Sequence, residues 1–73
     1  MGGGTMATFA ERFKELREAK GQSQAAMDEY FDLMRGTVAN WEHNFAIPDP
    51  ELLEPIAQYF HVSEAYLMGK ESD

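Results

Sequence analysis

Apolar residues recur at three- and four-residue spacing along most of the chain, and nowhere do they alternate as a strand would. Phe9, Phe13 and Leu16 form the first stripe. It overlaps Thr8-Phe-Ala-Glu11, a threonine with a glutamate three residues on, which is the capping-box signature of a helix start. Gly21 ends the run, so a first helix is expected at about Phe9 to Lys20. Ser23 caps a second, with Met27 and Phe31 facing a core, at about Gln24 to Phe31. Asp32-Leu33-Met34 leaves room only for a turn before a third helix, at about Arg35 to Glu42, which turns Val38 and Trp41 inward. Asp49-Pro50 reads as an N-cap followed by the first helical residue. Leu53, Ile56, Ala57 and Phe60 then supply the apolar face of a fourth helix. Pro55 lies inside it, removes one backbone donor and is expected to kink it. Ser63 caps a last short helix, with Tyr66 and Leu67 inward and Gly69 as its stop.

The pattern predicts an all-α domain of five short helices. Its middle, Ser23 to Trp41, has two short helices joined by a turn of about 3–4 residues, the layout of a helix-turn-helix. At 73 residues there is room for one small core. Residues 1–7, with a glycine triplet, read as an expression leader, 8–69 as the domain and 70–73 as a tail. Cysteine is absent, so no disulfide framework or thiolate metal site is available. His43 and His61 fall on different elements and do not form a zinc pattern. No metal or cofactor is expected. No apolar run reaches the roughly 20 residues of a membrane helix, and the first residues lack a signal peptide's basic and apolar regions. No nucleophile–base pair or phosphate loop is present, so an enzyme is not expected. A natural protein of this kind would be cytoplasmic.

Three stretches carry a family resemblance: FAERFKELREAKGQSQ, TVANWE and IPDPELLEPIAQYFHVSEAYLMG. In order and spacing they resemble the Cro and lambda-repressor-like helix-turn-helix family, also called the xenobiotic-response-element family, from Phe9 to Gly69. The resemblance implies a five-helix domain that often binds operator DNA as a dimer. It implies that Gln24 lies against a DNA phosphate and that Arg17 pairs with Glu42. It also implies that Arg35, Gly36 and Asn40 occupy the base-reading positions and that Thr37 can touch the backbone.

The departures from the family pattern cluster. Asp28 stands where a small residue is usual, Asp32 where glycine forms the turn, and Met34 where serine or threonine caps the third helix. Asn44-Phe45-Ala46-Ile47 replaces a glycine- and lysine/arginine-rich loop. Overall, 13 acidic residues oppose 6 lysines and arginines, for a net charge of −7. Between Gln24 and Ile47 the only lysine or arginine is Arg35, facing Asp28, Glu29, Asp32 and Glu42. Phosphate neutralisation supplies most non-specific DNA affinity, so this surface is poorly suited to DNA. Tyr30, Met34, Phe45 and Ile47 add apolar bulk at positions the family leaves wet, and exposed apolar groups among charges mark protein-interaction sites.

The leading expectation is therefore a protein-binding module, read as an engineered binder. Helix 2, helix 3 and the following loop would meet another protein through Tyr30, Met34, Phe45 and Ile47. Asp28, Asp32 and Arg35 would form the rim, and His43 beside the patch would lend pH sensitivity. Two alternatives stand beside it. One is a sequence-specific DNA-binding repressor using Gln24, Arg35, Gly36, Thr37 and Asn40. The other is a homodimer through the same face.

Overall fold

Five helices form in the expected order in the computed structural model, which describes residues 8–70. They are α1 (Phe9–Ala19), α2 (Gln24–Tyr30), α3 (Thr37–Glu42), α4 (Pro50–Phe60) and α5 (Glu64–Leu67). The leader at 1–7 and tail residues 71–73 lie outside the described residues. Among the described residues, no helix is long and apolar enough to cross a membrane.

Helix starts follow local side chains. Thr8 accepts the Glu11 N–H while the Glu11 carboxylate accepts the Thr8 N–H, so the capping box is complete. Ser23 accepts from the Ala26 N–H at 3.0 Å and Ser63 from the Tyr66 N–H at 2.9 Å. Pro50 takes the first position of α4, and Asp49 sits at the cap without a side-chain bond. Pro55 falls on an exposed position of α4, which runs through it from Pro50 to Phe60.

All five described helices end in the same way. A residue just after the cap, or in α4 the cap His61 itself, takes a left-handed φ, and its N–H and the next one turn back onto the last carbonyls. At the end of α1, Gly21 has φ 71°, and the N–H groups of Gly21 and Gln22 reach the carbonyls of Glu18 and Arg17 at 2.9 and 3.1 Å. Asp32 (φ 58°), Asn44 (φ 63°), His61 (φ 60°) and Gly69 (φ 77°) repeat the device. Asp32 does close α2 where the family uses glycine: its N–H and that of Leu33 donate to Glu29 and Asp28 at 3.1 and 2.7 Å.

The core gathers around Phe13, which is fully buried. Its ring stands 5.5 Å from each of Phe9, Trp41 and Phe60, edge-on to the last two. Met27, Val38, Ile56, Ala57 and Leu67 complete the buried set, with Leu16, Phe31, Leu33 and Leu53 partly buried against it. Burying each large side chain contributes about 1.5–3 kcal/mol. α1 packs on α3 and α5, α2 on α3, and α4 on α5. Tyr66 is half-buried, with the Arg12 guanidinium 4.0 Å above its ring. The packing leaves α3 as a short helix supported on its inner side by α1 and α2.

Candidate nucleic-acid interface

α3 has six residues, too few to be stable alone. It is shorter than its sequence suggests, because Arg35 and Gly36 belong to the preceding turn. The Thr37 N–H donates to the Met34 carbonyl at 3.1 Å. Gly36, with φ 91° and ψ −4°, has the third-position geometry of a type II turn. An added Cβ there would meet nothing within 4 Å, so glycine is required by its left-handed φ and not by space. Gly36 is also the α3 cap residue and has no side chain to cap with. Met34 is the first residue of that turn, and its side chain has no role as a cap.

The cap comes from α2. The Asp28 Oδ2 accepts the Gly36 N–H and its Oδ1 accepts the Val38 N–H, both at 2.8 Å. Asp28 is 6% exposed. This corrects its place as a rim residue: its carboxylate points into the fold, drawn by helix N–H groups that have no intrahelical acceptor.

The far end of α3 is held by ions. The Arg17 Nε and Nη2 donate to the two carboxylate oxygens of Glu42 at 2.7 and 3.0 Å. Arg17 Nη1 donates to the Gln22 carbonyl at 2.8 Å. Gln24 Nε2 donates to Glu42 Oε1 at 3.0 Å. Burial alone would raise the Glu42 pKa, but the hydrogen bonds from Arg17 and Gln24 and the attraction of Arg17 and Lys14 overcome it and hold the carboxyl below its ordinary range. The same hydrogen bond to Glu42 raises the Arg17 pKa.

Between these anchors, Arg35, Asn40 and His43 are exposed, while Gly36, Thr37 and Gln24 are half-buried. The Gln24 amide carries one N–H beyond the one that bonds Glu42.

The four apolar residues do face solvent, with Tyr30 62%, Met34 83%, Phe45 78% and Ile47 70% exposed. No one cleft takes in all four. Tyr30 lies 4.5 Å ring to ring from Tyr59 and lines an open cleft of about 530 Å³ with Asp32, Leu52 and Pro55. Ile47 lines another, of about 440 Å³, with Phe9, Trp41 and Met68. Met34 and Phe45 line neither, and Phe45 stacks beside His43 at 5.8 Å. Tyr30 packs on Tyr59 of α4, whereas Ile47 borders a cleft lined by residues of α1 and α3 and by Met68 after α5. Sequence spacing does not carry that information. The capping role of Asp28 was also missed. Its one trace in the sequence is a carboxylate in α2 combined with no Ser, Thr, Asp or Asn at Met34, Arg35 or Gly36.

Two anchored ends, a tight turn and a short outward helix define a helix-turn-helix domain of lambda-repressor-like architecture. Residues 13–67 match the helix-turn-helix family, and the chain belongs to it. Over 64 residues it is 28% identical to the HTH-type transcriptional regulator ImmR of Bacillus subtilis (strain 168), covering 88% of this chain and 50% of that protein. The chain thus spans about half the length of the curated relative it matches. Its fold is also that of the P22 c2 repressor, solved with a synthetic operator, with a TM-score of 0.79 and 22% identity over 89% of this chain and 98% of the other. These findings overturn the expectation of a protein-binding module on the α2–α3 face. The family and the curated relative point to a regulator, and nothing in them supports an engineered binder. The burial of Asp28 also takes one residue out of the proposed rim.

Proposed function

We propose that this chain is the DNA-binding domain of a transcriptional repressor, reading duplex DNA in the major groove with α3. The observation that carries the reading is an α3 anchored at both ends, with Arg35 and Asn40 exposed between and beside the anchors. Arg35 suits the O6/N7 edge of guanine and Asn40 the N6/N7 edge of adenine. Thr37 and the second N–H of Gln24 suit phosphate oxygens, which set register without reading sequence. Gly36 contributes backbone alone. The similarity to ImmR supports a regulator, and the P22 c2 repressor shows this fold used on an operator. Two copies would read half-sites about one helical turn apart. Such a domain is not catalytic and works in the cytoplasm.

A net charge of −7 does not prevent this, but it changes the expected energetics. With one arginine on the reading segment, few phosphates are neutralised. Binding should depend on salt with a logarithmic slope of roughly −1 to −3, shallower than repressors with many phosphate contacts. A polarisation titration at low salt tests the reading, using a randomised pool of duplexes of roughly 20 base pairs, two half-site turns long. Enrichment of a sequence and weakening with salt are expected. No binding to any duplex in the pool at low salt overturns the proposal.

A further inference from the structure

We propose that Asp28 is the positioning residue of the DNA-reading helix. Its buried carboxylate, reaching across from α2, supplies the cap that α3 lacks and fixes the direction in which Arg35, Thr37 and Asn40 leave the fold. The inference rests on the reading of α3 as the DNA-contacting element.

Residue 28 holds both sides of the turn. Its carbonyl accepts the Leu33 N–H at 2.7 Å and so closes α2. Its carboxylate accepts the Gly36 and Val38 N–H groups and so opens α3. Two oxygens on two different N–H groups restrain both the distance of α3 from α2 and its rotation about the contact. The gripped segment, Gly36 to Val38, follows Arg35 and contains Thr37, while Asn40 lies one turn on. Nothing local competes for the task. The Met34 side chain offers no oxygen, Gly36 has no side chain, and the Arg35 side chain can only donate. A six-residue helix has little rigidity of its own to keep its start in place.

The arrangement also settles what the α3 N-terminus does. Helix N-termini attract anions, but here an internal anion already occupies the Gly36 and Val38 donors. Phosphate therefore has to be met by Arg35, Thr37 or Gln24, and the carboxylate acts through these residues without touching DNA.

Charge and positioning predict opposite outcomes, which makes the inference testable. Removing a carboxylate near a phosphate-facing surface should strengthen DNA binding if charge alone matters. If positioning matters, it should weaken binding to the preferred sequence. The experiment compares the wild-type chain with Asp28→Asn, which keeps the shape and one acceptor, and with Asp28→Ala. Affinity is measured for the duplex that the wild-type chain enriches from the randomised pool and for poly(dI-dC), at a temperature where all three chains are folded by circular dichroism. Amide hydrogen exchange at Gly36 and Val38 is followed in parallel.

We expect both variants to lose exchange protection at Gly36 or Val38. The ratio of selected-duplex to poly(dI-dC) affinity should fall about tenfold, comparable to one lost bidentate base contact. Should Asp28→Ala not fold, Asp28→Asn carries the test alone. A wild-type chain that binds DNA while the folded variants keep its affinity ratio, or bind both duplexes more tightly, overturns the inference and leaves the DNA reading standing. A wild-type chain that binds no duplex overturns both.

Discussion

At the C-terminal end of α3, the Glu42 carboxylate meets a guanidinium and an amide; at the N-terminal end, the Asp28 carboxylate meets only backbone N–H groups. The first anchor removes two full charges from water and depends on their mutual compensation. The second removes one charge and uses donors that a helix start leaves unpaired anyway. The first ties α3 to α1 and belongs to the family pattern. The second ties α3 to α2 and occupies a site where the family usually has a small residue. A helix too short to stabilise itself is thus held by side chains from both neighbours, and either anchor can be removed separately.

The largest effect should come from the ionic end. Glu42→Ala strands the Arg17 guanidinium, whose side chain is 10% exposed, and should cost about 3–5 kcal/mol in urea unfolding. Asp28→Ala leaves two N–H groups without acceptors and should cost about 2–3 kcal/mol by the same measurement. A result below about 0.5 kcal/mol would show that α3 keeps its start without the cap.

Acid probes the ionic anchor. Glu42 is held below its ordinary value of 4.5 in the folded chain. Its contribution is therefore complete above that value and is lost as pH falls through the lower, folded pKa. Glu42→Gln should flatten that acid limb in a stability–pH series, and an unchanged limb would remove the ionic anchor from the account. Phe45→Lys puts a cation on the loop beside α3, where the family carries such charges. It should strengthen DNA binding roughly 3–10-fold at low salt, with little change in stability. The smallest effect is expected away from both anchors. His61→Gly relieves a left-handed φ of 60°, partly offset by glycine's greater freedom when unfolded. A gain of about 0.5–1 kcal/mol, read as a rise in melting temperature of a few degrees, is expected.

Most of the architecture was legible along the chain because its signals are local. Thr8 with Glu11, Ser23 and Ser63 act within three residues of themselves, so the starts of α1, α2 and α5 follow from neighbouring letters. The apolar spacing placed Phe13, Met27, Val38, Trp41, Ile56 and Leu67 in the core. The family resemblance supplied the Arg17–Glu42 pair, which bridges 25 residues and has no local signature. The site was legible in part: Tyr30, Met34, Phe45 and Ile47 are exposed as their positions suggest. Weighing that exposure above the family resemblance led to the wrong partner class.

Helix identity, helix order and the identity of the core were determined by the sequence itself, because caps and periodic apolar faces act over one or two turns of chain. Tertiary structure alone decided what Asp28 does. Its carboxylate reaches Gly36 and Val38 because Asp32 and Gly36 both take left-handed conformations, folding α3 back against α2. A charge counted as surface repulsion thereby becomes a buried cap. The physical reason is that the energy of a carboxylate depends on which donors surround it, and those donors are assembled only by the completed turn.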